Sequence, residues 1–342
     1  MLPESRTEGD LFSIPQFSVE KKDVKEFINE LKGFHEQFSD CFARSEPRDN
    51  FFKYMVGQFS ELERKSIEPI ALNVEGGKVR SMQRFISELS WDEPKMIPKY
   101  RSIVNEDMGD PSGVLIFDES GFPKKGNDSM GVAKQYCGTL GKVENCQVGV
   151  FAAYASRYGY ALLDKRLFMP GKWFEQAYAE KREKCKAPEE MSFKTKPELA
   201  VEMFEEIQGE DILPFRYVVA DSLYGNSPEF ISAIERCVGK VYFVSIPSDT
   251  LCWLEGPITR EKKYRYKGEV RTKVVIEKME KKPISVEVIG KSINDYFWYR
   301  RKVTEGTKGP IEYEFTKRRV TLSRNGLPHK TVWLIIKRTI GG

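Results

Sequence analysis

The sequence predicts an α/β protein with a helical N-terminal domain, a mixed-sheet core and a strongly basic, β-rich insertion. Three observations predict it. From about residue 17 to 101 apolar side chains recur at helical spacing. Between 113 and 246 short apolar runs alternate with helix-length amphipathic stretches, the pattern of strands joined by helices. After Pro247 short alternating runs rich in Lys and Arg take over, with no helix-length periodicity.

Each element has a local reason. Val24, Phe27, Ile28 and Leu31 share one helical face, continued by Phe34 and Phe38. Residues 48–60 (RDNFFKYMVGQFS) predict a second helix with Phe51, Phe52, Met55, Val56 and Phe59 as its stripe. Shorter helices fit 62–72 and 79–89, and Pro94 and Pro98 then interrupt the pattern. The helical domain is expected to span 1–105. The core, 106–247, is expected to open with a buried strand, Val114, Leu115, Ile116 and Phe117, that ends on Asp118. Gly121, Pro123, Gly126 and Asn127 predict a loop, and 146–156 with 160–168 a hairpin about Gly159. Helices over 173–184 and 196–208, the latter with Pro197 in its first turn, lead to a strand at 215–220 (FRYVVA) that stops at Asp221. A helix from Ser227-Pro228 and a strand at 241–246 close the core. The all-β insertion, 248–330, is expected to hold strands at 264–266, 271–278, 284–289, 296–303 and 312–322. A last strand, 331–337, is expected to return to the core within 331–342.

Composition removes several function classes. With 342 residues, 40% of them hydrophobic, and with 22 Phe and 15 Tyr, the chain can bury a sizeable core. No apolar run approaches the roughly 18 residues that span a bilayer, and residues 1–10 lack the features of a secretory signal. Six scattered cysteines without a CxxC pair, and only two histidines, argue against a disulfide framework and a Cys/His zinc site. The expectation is a soluble, cytoplasmic protein without membrane partners. The net charge of +4 hides an asymmetry: residues 257–342 hold 22 Lys and Arg against 9 Asp and Glu, whereas the rest is acidic, 33 against 42. A basic module of that density suits a phosphate backbone, because each neutralised phosphate releases counterions.

Two acids carry the expected chemistry. The first three core strands follow short connections and should pair antiparallel; the fourth follows a helical crossover and can lie parallel beside the first. Asp118 and Asp221 would then meet across neighbouring strands about 4.8 Å apart. Two carboxylates that close repel, and a hard divalent cation resolves the repulsion. Carboxylate-bound metal acting on phosphate oxygens is the working unit of phosphoryl transfer.

Four phrases connect this pattern to a known group: 114–126 (VLIFDESGFPKKG), 131–138 (GVAKQYCG), 145–154 (NCQVGVFAAY) and 217–225 (YVVADSLYG). Together they resemble the insertion-sequence transposases of the DDE superfamily, whose catalytic core is ribonuclease-H-like. The resemblance implies a DNA strand-cleaving and strand-joining enzyme that uses Mg²⁺ or Mn²⁺. Its DNA partners would be insertion-sequence terminal repeats and target DNA, and it leaves room for a homodimer in a synaptic complex. Asp118 matches the first acid of the family's triad and Asp221 the second. The third, a Glu on a helix after the β insertion, has no match: Glu305, Glu312 and Glu314 lie in a β-rich stretch and read as insertion surface. The expectation is therefore a chain truncated before that Glu, inactive in transposition alone but able to bind DNA and one metal. The alternative is a catalytically silent DNA-binding remnant that regulates or competes with a full-length enzyme.

The remaining candidates are contacts to DNA. Lys124 and Lys125 follow Asp118 in a Gly/Pro loop and suit phosphate contacts. Trp298, Arg300, Arg301 and Lys302 interleave an aromatic ring with cations, as do platforms for unpaired bases, and Lys317, Arg318 and Arg319 form a second basic run. In the helical domain Arg80, Arg84 and Lys99 could touch phosphates, though nothing fixes which helix would enter a groove. Asp128 suits a turn, while Tyr136 and Tyr224 could either line the site or pack. Ser222 lacks a nearby His to activate it. A phosphatase using Asp118 as nucleophile would want a second acid two positions on, where Ser120 stands.

Overall fold

The computed structural model describes residues 20–89, 91–279, 281–306 and 309–341. The stretch read for a signal, 1–10, and the first residues of the expected N-terminal helix lie outside them. Backbone contacts divide the chain into two units: residues 20–220 with Ser227–Phe243, and Asp221–Asn226 with residues 244–341.

The first unit begins with five helices, α1 (Lys21–Glu36), α2 (Ser45–Gln58), α3 (Ile67–Asn73), α4 (Val79–Ser87) and α5 (Glu93–Met108). Phe38, Cys41, Phe42 and Phe85 form one buried cluster, and Ile70, Ala71 and Met82 a second. A Cβ on Gly57 would lie 2.2 Å from Ile70 Cγ2, so α2 and α3 approach as closely as a glycine allows. The two prolines expected to end the helical pattern lie inside α5. Pro94 occupies the first turn, where its missing N–H costs nothing, and Asp92 caps the start by accepting from Lys95 N at 3.0 Å. Pro98 is carried further along the same helix.

The core sheet is built from β1 (Val114–Pro123), β2 (Ala133–Cys137), β3 (Lys142–Ser156) and β4 (Gly159–Phe168). It continues through α6 (Ala179–Lys184), α7 (Lys196–Glu210), β5 (Tyr217–Ala220), α8 (Ser222–Gly225), α9 (Pro228–Glu235) and β6 (Val241–Val244). The strand order is β2-β3-β1-β5-β6, with β4 also on β3. β1 runs antiparallel to β3 and parallel to β5, the senses expected; the link from β1 to β3 is not the short connection expected, because β2 lies within it. Leu199, Ala200, Met203, Phe204 and Ile207 of α7, and Phe230, Ala233 and Ile234 of α9, are buried; Phe230 meets Phe117 edge-on at 5.4 Å.

Two expectations change here. β1 does not stop at Asp118: it continues to Pro123, paired along β3 to Cys146. Gly121 and Pro123 read as loop residues, but that stretch is paired on one edge only, where a strand tolerates them. The predicted helix over 173–184 is α-helical only in its second half; its first half is taken up by two 3₁₀ turns.

The second unit holds β7 (Leu251–Trp253), β8 (Ile258–Tyr266), β9 (Glu269–Lys278), β10 (Ile284–Ser285), α10 (Val286–Ser292), β11 (Tyr299–Gly306), β12 (Gly309–Arg324) and β13 (Leu327–Arg338). One sheet runs β10-β7-β12-β11 with β13 beside β12, and β8 pairs with β9 alone. Cys252, Val286, Ile289, Ile293, Trp298, Val320 and Leu334 form its core. The expected strand over 284–289 is instead two strand residues followed by α10. Its apolar/polar alternation imitates a strand, but Ser285 caps a helix by accepting from Val288 N, and Val286 and Ile289 bury one helical face. The strand expected to return to the core is β13, which lies along β12 with Arg319 opposite Trp333. Asn325-Gly326, at φ of 51° and 75°, makes the two-residue hairpin turn that folds it back.

Candidate functional site

The parallel ladder of β1 and β5 ends at Phe117 opposite Ala220, and the next residue along each chain is an aspartate. β5 ends there because Asp221 becomes the cap of α8, its Oδ1 accepting from Leu223 N at 2.8 Å. Asp118 stays in strand geometry opposite Phe151 of β3, with its own Oδ1 accepting from Glu119 N at 2.8 Å. Both aspartates are exposed. Glu119 alternates to the other face of β1 and is bound by Lys196 Nζ at 2.8 Å, a partly buried pair that ties β1 to the first turn of α7.

The four phrases have separable structural duties. In 217–225, a Cβ on Gly225 would sit 2.3 Å from Ser245 O, so only glycine lets the backbone pass, and Tyr224 is fully buried packing. In 145–154, the Asn145 amide donates to Lys124 O at 2.8 Å and Gly126 O at 3.0 Å, strapping the loop after β1 to β3. In 131–138, Gln135 donates to Cys146 O at 3.0 Å, and the strand β2, absent from the sequence reading, carries it. Lys124 and Lys125 are thus exposed on a held loop. Asp128 pairs with Lys184 at 2.7 Å, which holds its carboxyl below the usual range, and Tyr136 is exposed.

In the second unit the candidate cations separate. Trp298 is buried in the core, its ring covered by the Arg338 guanidinium at 4.1 Å, so it offers no open stacking face. Arg300 is paired with Glu312 at 2.6 Å, and Glu314 with Arg338 at 2.8 Å, which makes both glutamates insertion residues with local partners; the Glu305 side chain lies outside the described residues. Arg301 and Lys302 are exposed on β11. Lys317 and Arg319 share one face of β12, while Arg318 alternates to the other and lies over Phe297 at 5.0 Å. Between Lys317 and Arg319 stands Trp333, 59% exposed, with the two cations 5.4 and 5.5 Å from its ring centroid. Sequence reasoning missed Trp333, which becomes a partner of these cations only through the β12–β13 register; the Asn-Gly pair was the available signal. In the helical domain Lys99 is bound to Asp40 at 3.0 Å and Arg84 to Glu88 at 3.1 Å, whereas Arg80 is exposed.

A family model described as DDE superfamily endonuclease matches residues 37–310. The chain belongs to that family. It is also 30% identical over 202 residues to a probable transposase for insertion sequence element IS701 of Microchaete diplosiphon, an alignment covering 58% of this chain and 49% of that protein. The chain thus spans about half the length of that relative. In this DDE superfamily chain, no group of three or more His, Cys, Asp or Glu gathers as a metal-holding cluster among the described residues. No helix among them is long and apolar enough to cross a membrane.

Proposed function

We propose that this DDE endonuclease acts as a DNA transposase, cleaving and joining strands at insertion-sequence ends, with Asp118 and Asp221 as its first two acids. The observation that carries the reading is the parallel register that ends at Phe117 and Ala220, immediately before both aspartates. Both side chains supply hard oxygen donors, and each is oriented by a backbone N–H, so the pair suits a divalent cation such as Mg²⁺ or Mn²⁺. Such an ion, when bound, neutralises charge and polarises phosphate oxygens. The chain's own residues then bind and orient DNA: Lys124 and Lys125 on the strapped loop beside β1, and Arg301, Lys317 and Arg319 on the second sheet, all toward phosphates.

Mn²⁺ titration of the full chain, followed by electron paramagnetic resonance, tests the assignment. Asp118→Asn and Asp221→Asn should each weaken binding by roughly tenfold or more, since affinity follows the count of charged ligands. An unchanged titration in both variants would refute it. One observation favours a second reading, DNA binding without cleavage: among the described residues no third acid gathers with these two. Metal-dependent nicking of supercoiled plasmid by the chain, abolished in either variant, would exclude that reading.

A further inference from the structure

The ribbon of β8 and β9 holds charge in a way that folding alone opposes. It is a two-stranded sheet, exposed along nearly its whole length and closed by Lys267-Gly268 at φ of 50° and 87°. Its register sets Lys262 directly opposite Lys273, and alternation brings Arg260, Tyr264, Tyr266 and Arg271 onto the same face. Like charges directly opposite on paired strands destabilise the pairing. Among the described residues Arg260, Lys262 and Lys273 have no carboxylate partner; Glu269, at the tip, is on Arg271 at 3.1 Å. Glu261 opposes Val274 on the other face. No carboxylate among the described residues therefore offsets the repulsion between Lys262 and Lys273, and a polyanion laid along the face would do so.

The rings fix where the cations lie, and the shape of the ribbon indicates which polyanion. Tyr264 has Lys273 at 5.3 Å from its centroid, and Tyr266 has Arg271 at 5.0 Å and Lys267 at 5.6 Å. These contacts hold the cations along the ribbon, while Tyr264 and Tyr266 stay 37% and 48% exposed. A two-stranded β-ribbon matches the width of the duplex major groove, and cations along it reach the flanking phosphates. We propose that β8–β9 is an arm that grips double-stranded DNA through Arg260, Lys262, Arg271 and Lys273, independently of base sequence. This rests on the reading of the chain as a DNA enzyme and adds a contact surface separate from the aspartates and from β12.

The test is fluorescence anisotropy of the full chain with a labelled duplex of about 40 base pairs and arbitrary sequence, between roughly 50 and 200 mM KCl. The variant Arg260→Thr/Lys262→Thr/Lys273→Thr should lower the log–log salt slope by about 3 × 0.9, one share per lost phosphate. Its affinity should fall alike for unrelated duplexes, and its melting temperature should hold or rise as the repulsion disappears. Lys262→Arg/Lys273→Arg should keep the wild-type slope. A triple variant whose slope is unchanged would overturn the arm while leaving the DNA enzyme reading intact. A lower melting temperature would overturn the repulsion argument. Tighter wild-type binding to oligo-dT than to duplex, lost in the triple variant, would overturn the duplex assignment. Wild-type chain that ignores duplex altogether would count against both readings, and the Mn²⁺ titration would then show whether the metal site survives on its own.

Discussion

Arg101 on α5 is the most exacting test of how the helical region is joined to the sheet. It is 1% exposed, with NH1 on Glu210 of α7 at 2.7 Å and NH2 on Asp164 of β4 at 2.8 Å. Three elements distant in sequence thus meet at one guanidinium. Breaking a buried pair by deleting one partner costs about 3–5 kcal/mol, because the other charge stays buried. Here the lower end applies. Asp164 keeps Arg166 at 2.6 Å and the Lys165 N–H at 2.7 Å, and Glu210 has 27% of its side chain in solvent and can rehydrate. Arg101→Met should therefore destabilise the first unit by about 3 kcal/mol, two decades in its folding equilibrium and roughly 6–12 °C in melting temperature. Calorimetry would read the shift. In the double variant Arg101→Met/Asp164→Leu the loss should be smaller than the sum of the singles by at least about 1 kcal/mol. A shift under about 2 °C, or strict additivity, would refute the claim that the pair is buried and coupled.

Gly225→Ala places a methyl 2.3 Å from Ser245 O, where backbone must move, and should cost about 1–3 kcal/mol; an unchanged urea midpoint would show that the turn yields freely. Asp40, bound by Lys95 at 2.8 Å and Lys99 at 3.0 Å, has its carboxyl lowered from 3.8 to about 2, chiefly by the hydrogen bonds from those two lysines. Because the folded value lies below the unfolded one, its contribution is present above pH 4 and lost as pH falls from about 4 to 2. An NMR titration of Asp40 with a midpoint near 3.8 would contradict this. Lys317→Ala/Arg319→Ala should lower the salt slope of DNA binding by about 2. Trp333→Ala, at an exposed ring, should weaken binding with under about 0.5 kcal/mol of stability change; a large melting shift would place that ring in the core instead.

Local chemistry made much of this protein legible from its sequence. Helical periodicity marked α7, because a helix on a core must keep its apolar residues at 3.6-residue spacing; it also marked α1 and α2, although Val24, Phe27 and Ile28 of α1 and Phe59 after α2 stay exposed. Apolar runs that stop at an acid marked β1 and β5, and the helical crossover between them allowed β5 to lie parallel to β1. The charge asymmetry of the last quarter was visible as counting. What the residues could not announce was which neighbour each element would find. β1 runs past Asp118 because β3 continues to pair with it; Pro98 stays helical within α5; and Val286 turns helical because a capping serine and a buried face outweigh its alternation. Trp298 and Trp333 are both tryptophans within four positions of a basic residue in the chain. Only the folding of β13 onto β12 buries the first under Arg338 and leaves the second between Lys317 and Arg319. Spacing along the chain is a local property and can be read directly, whereas exposure and cross-strand partnership are created when distant segments pack, and there the tertiary structure alone decided.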